Sequence, residues 1–391
     1  SVALRFRIPA GSIYEEDSTA GLSHLTARVM GRGSAGMTFE EISDRTDDLG
    51  SSLGIDAGRQ FLEGRIRCLR DDLPEMVGLL ANAIQRPDFP VDQIELVRAE
   101  QLGAIKDAAN DTRAVSDREL RRAIYPEPNP LGRSSLGTPE SVNALSAADA
   151  RRFHEQRVTP DRAAFAVVGG TGGGDEVTSL LESAFGAWAA GAGAMSQPDL
   201  TSTNEAAESV VEAIPGKSQA DLAAGLATIP RLHPDFVPLD VANLILGRLG
   251  LMGRLGTEVR DKQGLAYYVF SQVEPRRDGT LWSARAGVDP SNIERALESI
   301  RAELERLRRE PVSETELADA KSYLIGVLPL ALESNDGVAA TLLSLEEYGL
   351  GLDYLDRYPA IIAAVTKADI LHAAARHLDP DNLVISVAQP A

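Results

Sequence analysis

"SAADARRFHEQRVTPDRAAFAVVG", residues 146 to 169, returns as "TKADILHAAARHLDPDNLVISVAQ", residues 366 to 389, at an offset of 220. Each copy reads as a helical region running into a closing strand. Working outward, "DDLPEMVGLLANAI" places Leu73, Val77, Leu80 and Ile84 on one helical face, and "SNIERALESIRAEL" does the same with Ile293, Leu297, Ile300 and Leu304, again 220 positions on. "PVDQIEL" from Pro90 and "PVSETEL" from Pro311 follow at 221. Spaced features that keep one offset mark an internal duplication, and the chain reads as two copies of one domain.

Within each copy a strand with period-two alternation precedes a helix, then hairpin-like strands, "SSLGIDAGRQFLEGRIRCL" and "LAYYVFSQVEPRRDGTLWSARAGV". Amphipathic helices and the closing strand complete the unit. Hairpins and helices together predict an α+β fold: two duplicated domains, each a mostly antiparallel sheet with helices packed on one face. The small, polar stretch "AAGAGAMSQPDLTSTNEAAES", 189 to 209, reads as a linker. The expected organisation is a first repeat at 1–190, a linker at 191–207 and a second repeat at 208–391.

Composition narrows the functional classes. A chain of 391 residues, 43% hydrophobic and 25% charged, has the make-up of a folded two-domain protein. Its formal charge of −19 argues against nucleic acid and anionic membranes as partners and leaves room for basic peptides. No apolar run approaches the roughly 18 residues that insert into a bilayer. The single cysteine, Cys68, excludes an internal disulfide framework and is compatible with a bacterial-type cytoplasm or periplasm. The Gly-rich stretch "VVGGTGGGDEV" lacks the spacing of a phosphate-binding turn and reads as a surface loop. His372 and His377, five apart, do not share a helix face and read as surface residues, while His154 and His233 have no partner pattern that specifies a site.

The remaining histidine lies in "GLSHLTARVMGRGS", 21 to 34. Ser18 to Met30 predicts a helix, capped by Ser18 or Thr19, with Leu22, Leu25 and Val29 as its buried stripe. His24 and Arg28 stand one turn apart beside that stripe. The spacing from Gly21 through His24 to Gly33, in a duplicated α+β chain, resembles the pitrilysin/insulinase family of zinc peptidases, the inverzincins with the signature H-x-x-E-H. In active members two histidines at i and i+4 bind zinc and the glutamate is the general base. Aligned on those residues, this chain keeps His24 but has Ala27 in place of the base and Arg28 in place of the second histidine. A third ligand, a glutamate about 80 residues on, would fall in "AEQLGAIKD", where Gly103 and Ala104 stand instead. The resemblance thus implies a degenerate metal site at His24, Ala27, Arg28 and Ala104, and no metal held by this chain.

The resemblance extends to "TEVRDKQGLAYYV", 257 to 269, where Arg260 and Tyr267 match a family Arg/Tyr pair, seven apart, that reaches into the partnering half's active site. A guanidinium can hold substrate carbonyl oxygens and a phenol can donate to a developing oxyanion. Read without the family, Arg260 is a surface charge and Tyr267 fills a strand position. With it, the chain is expected to be a non-catalytic subunit, or separated C-terminal half, of a peptidase assembly that closes like a clamshell around a peptide. Zinc is expected on an H-x-x-E-H partner, in a heterodimer or as the other half of a precursor, with peptides as substrates. The alternative is a structural scaffold of the same fold, as in respiratory-complex core proteins, with no part in proteolysis.

Overall fold

The computed structural model describes residues 1–189, 198–200, 209–249 and 252–391. The linker expected at 191–207 lies outside the described residues, 198–200 apart.

The first repeat contributes β1 (Val2–Ile8), α1 (Leu22–Met30), a small hairpin of β2 (Gly33–Ser34) and β3 (Met37–Thr38), and α2 (Phe39–Asp48). Then come β4 (Ser52–Ala57), β5 (Leu62–Cys68), α3 (Leu73–Gln85), α4 (Val91–Ala109), α5 (Thr112–Ile124), α6 (Pro139–Ala144), α7 (Ala147–Arg157), β6 (Ala164–Gly169) and α8 (Gly174–Phe185). The second repeat supplies β7 (Ser209–Ile214), β8 (Ala220–Thr228), α9 (Phe236–Asn243), β9 (Ala266–Glu274) and β10 (Thr280–Val288). It continues with α10 (Ile293–Arg309), α11 (Glu314–Ala331), α12 (Asn335–Tyr348), α13 (Tyr354–Ala364), α14 (Lys367–His377) and β11 (Val384–Pro390).

The offset of 220 is visible in local chemistry. Ser146 and Asp149 form a capping box at the start of α7, and Thr366 and Asp369 form the same box at the start of α14. Each satisfies two backbone donors that a helix start leaves free. The sheets agree as well. One has the order β4-β5-β1-β6, and the other β9-β10-β8-β11 with β7 added at its edge. Leu4 in central β1 lies between Ile66 and Val167; Leu222 in central β8 lies between Ala286 and Val387, flanking partners that differ by 220 on both sides. Every pairing in these two sheets is antiparallel except β7 with β11. The mixed, largely antiparallel fold expected from the sequence is the fold observed.

Each sheet has a main apolar face. In the first, Val2, Leu4, Phe6 and Ile8 join Leu25, Leu80, Ile84 and Phe153. In the second, Leu222, Leu226, Trp282 and Ala284 join Leu239, Ile300, Leu304 and Ile370. The opposite faces are not open. The described chain forms two compact units, one of Ser1–Lys106, Arg133–Pro198 and Pro329–Leu352, the other of Asp107–Gly132, Asp199–Leu328 and Asp353–Ala391. Helix α12 therefore packs in the unit built from the first repeat, and α5 in the unit built from the second. Ala339 and Leu343 of α12 meet Ala166 of β6, and Arg5 of β1 makes a two-pronged bond to Asp336 at 2.7 and 2.6 Å. In the other unit Val115 of α5 packs with Ile214 and Ala388, and Asp117 pairs with Arg285. This second layer explains why β8, "ADLAAGLAT", is buried on both faces: its alternate positions Ala223 and Gly225 are small enough to admit α5.

Candidate functional site

The stretch around His24 forms a shorter helix than the sequence suggests. Asp17–Thr19 is a separate tight turn, and α1 begins only after Gly21, which takes φ 91°. A side chain at Gly21 would also meet the Leu136 carbonyl at 2.5 Å, so glycine is required twice over. Neither Ser18 nor Thr19 caps α1. Glu15 does, accepting from the Gly21 amide at 2.9 Å and the Ser23 amide at 2.6 Å. Burial pushes the Glu15 carboxyl up to about 7, against the opposing pull of those bonds and of Arg133.

Leu22, Leu25 and Val29 are buried, as their stripe predicts, and Ala27 is fully buried beside them. A buried methyl offers neither base nor ligand. His24 Nδ1 stands 3.1 Å from Asp56 Oδ1 on β4. Burial works against the charged form of Asp56, yet bonds from His24 and the Ala57 amide, with the charges of His24 and Arg28, leave its carboxyl below the usual range. Arg28 in turn lies 3.5 Å from Glu100 of α4, which also takes Arg32 at 2.9 Å. Gly103 and Ala104 are exposed, so the α4 carboxylate that reaches α1 is Glu100, one turn earlier. Among the described residues no third His, Cys, Asp or Glu donor converges with His24 and Asp56. The donor set of one imidazole, one carboxylate and a permanent cation does not fit zinc.

Arg260 belongs to Gly256–Lys262, a segment wound as a π-helix, and is half-buried. Among the described residues its guanidinium has no ion-pair partner. Tyr267 is the second residue of β9, the strand at the sheet edge, and is 78% exposed. The next residue faces the other way: Tyr268 is half-buried, bonds Asp221, and carries Arg113 against its ring. Of the two adjacent phenols only Tyr267 is presented to solvent.

The structure assembles one group that sequence spacing does not reveal. His233 and Asp235, in the turn before α9, come together with His377, the last residue of α14. His377, expected on the surface, is half-buried and donates to Asp235 at 2.7 Å. The only sequence signal is the H-x-D spacing of 233 and 235, which is common in turns. His372 is exposed on α14, as expected, and His154 lies against the Ile84 carbonyl at 2.7 Å and edge-on to Phe89, a packing role.

With the fold and these positions set out, similarity to known proteins can be placed on them. Residues 1–139 match "Insulinase (Peptidase family M16)" and residues 144–324 match "Peptidase M16 inactive domain". The chain belongs to peptidase family M16. It is 27% identical over 332 residues to an uncharacterized zinc protease of Mycobacterium leprae, covering 84% of this chain and 74% of that one. It is 22% identical over 354 residues to a non-peptidase homolog of Helicobacter pylori, covering 90% and 80%. A solved peptidase M16 inactive domain from Pseudomonas fluorescens superposes with a TM-score of 0.91 at 24% identity, over 100% of this chain and 92% of that one. M16 relatives thus include chains named as proteases and a chain named as a non-peptidase. Among the described residues no helix is long and apolar enough to cross a membrane.

Proposed function

We propose that this M16 chain is a non-catalytic subunit that pairs with an H-x-x-E-H member of the family and lends Arg260 and Tyr267 to that partner's hydrolysis of peptides. One observation carries the reading: the family's metal position in this chain is taken up by ion pairs, Asp56 on His24 and Glu100 on Arg28, with Ala27 buried where a base would stand. Such a chain has no means of activating water there. What it keeps is a solvent-presented phenol on an edge strand and a guanidinium with no ion-pair partner among the described residues, carried on a π-helical turn, a distortion of the helix found often at functional sites. The guanidinium can hold a substrate carbonyl oxygen, and the phenol can donate to the oxyanion that develops as the amide is attacked. Zinc, in this reading, is the partner's. The Helicobacter pylori relative's name is consistent with a chain of this kind.

The test is co-expression with an intact H-x-x-E-H chain from the same genome, followed by co-purification and a peptide-cleavage assay of each chain and of the pair. Cleavage by the pair, and not by this chain alone, is the expected result. A stable pair whose cleavage is indifferent to this chain would favour the scaffold reading.

A further inference from the structure

We propose that His233, Asp235 and His377 form a binding site for a divalent transition-metal ion of the zinc type, unrelated to the position of His24. Two of the chain's five histidines, 144 residues apart in sequence, are brought to one carboxylate. Asp235 Oδ2 is 2.7 Å from His377 Nε2 and 3.9 Å from His233 Nδ1, and the donor atoms of the three groups all lie within 4.8 Å of one another. Donors on a tetrahedral ion with bonds of about 2.0–2.1 Å are roughly 3.3 Å apart. The two carboxylate–imidazole separations bracket that figure, and the imidazole pair, at no more than 4.8 Å, has to close by up to about 1.5 Å.

Protonation and placement favour the same conclusion. The Asp235 amide donates to His233 Nδ1 at 3.1 Å, which fixes that nitrogen as the one without a proton, the form a metal requires. A small rotation of this part-exposed ring transfers its lone pair from the amide to the ion. At His377 the ion takes the place of the proton shared with Asp235, and that proton is released to solvent. Two imidazoles and one carboxylate select zinc, cobalt, nickel or copper over magnesium and calcium, which prefer all-oxygen sites.

Two of the three ligands also sit on fixed supports. Asp235 is the residue at the start of α9, and His377 closes α14, which packs against α9. The ion would tie these helices together. Three protein ligands leave a fourth position free. His377 also lines a cavity of about 400 Å³, with Thr228, Arg276, Asp278, Asp379 and Asn382.

Zinc titration of the full, untagged chain by calorimetry tests this, with magnesium in excess to occupy the acidic surface. The expected result is one tight equivalent, weakened at least about 100-fold by His233→Ala or His377→Ala and unchanged by His24→Ala or His372→Ala. Circular dichroism verifies that each variant is folded. Asp235→Asn, which keeps the shape and an acceptor for His377, stands in should His377→Ala not fold, and the same loss is expected of it. Zinc should also raise the Tm of the parent chain but not of Asp235→Asn. Parental zinc affinity in His377→Ala or Asp235→Asn, or no binding above what magnesium displaces, would overturn the proposal.

Discussion

Arg28 of α1 and Glu100 of α4 lie 3.5 Å apart, a protein cation meeting a protein anion at the position that the proposed function reads as a lost zinc site. The consequence is that restoring letters of the motif will not restore the site. Ala27→Glu with Arg28→His is expected to give no peptide hydrolysis by the isolated chain, because Ala104 still lacks a carboxylate. His24→Ala should leave the zinc content unchanged. Metal analysis of both variants, with a peptide-cleavage assay, checks this; zinc that disappears with His24 would refute it.

Tyr267→Phe removes a hydroxyl while keeping the ring of a 78% exposed side chain, so folding should be untouched. In the assembled pair, losing that donor is expected to lower kcat by about 10²-fold, on the order of 3 kcal/mol of transition-state stabilisation. Arg260→Ala should act mainly on KM if the guanidinium holds substrate in both ground and transition states. Parental kinetics in both variants would move the scaffold reading ahead.

Leu120 of α5 is fully buried, and its Cδ2 lies 3.2 Å from where a Cβ on Gly225 would sit. Leu120→Ala should destabilise the unit containing β8 by about 3 kcal/mol through the cavity left behind. Gly225→Ala should also destabilise it, since the added methyl would meet the Trp282 carbonyl at 2.8 Å. Urea titration followed by tryptophan fluorescence, to which the fully buried Trp282 contributes, reads both.

Acid should act through Glu316. Bonds from Arg254 at 2.6 and 3.1 Å, opposed by burial and aided by the Ser313 amide, hold its carboxyl down to about 2. The stabilisation is complete above the ordinary glutamate value near 4.5 and is lost as pH falls through about 2. Solvent screening of this part-exposed pair limits its worth to about 1 kcal/mol. Glu316→Gln should lower Tm at pH 7 and show a smaller loss than the parent on going to pH 2.

Glu15 has the opposite sign. With its carboxyl raised to about 7, the folded state holds a proton that the unfolded chain releases near 4.5. Its contribution is fullest below 4.5 and declines as pH rises through 7, by an amount on the order of 2–3 kcal/mol. Glu15→Gln keeps an acceptor for only one of the Gly21 and Ser23 amides, so it should lower stability at every pH, and by removing the titrating group it should flatten the pH dependence of stability between pH 5 and 8.

The duplication was legible because packing constrains both copies alike: a capping pair, an amphipathic face and a strand recur at 220 since each must meet the same neighbours. What covers the sheets was not. The small residues of β8 signal a second packed layer, but nothing local in "TRAVSDRELRRAI" says which sheet it will cover. The start of α1 was misplaced because Ser18 and Thr19 are ordinary caps, and Glu15 works from outside any cap motif. The meeting of His233 with His377 was not legible, because the turn before α9 and the end of α14 share no sequence spacing. Ala27 and Arg28 stand inside one short stretch of α1, so sequence alone shows that neither can supply a base or a zinc ligand.

The exchange of α5 and α12 also governs synthesis. Strand β1 is synthesised well before α12, and its Arg5 waits for Asp336, 331 residues later. The first sheet cannot be covered on both faces until α12 has been made, so the nascent first repeat exposes a half-finished sheet while the second is synthesised. A chain cut between the repeats would yield two fragments, each carrying the helix that the other one lacks. Complementation between such fragments, not independent folding, is what this topology dictates.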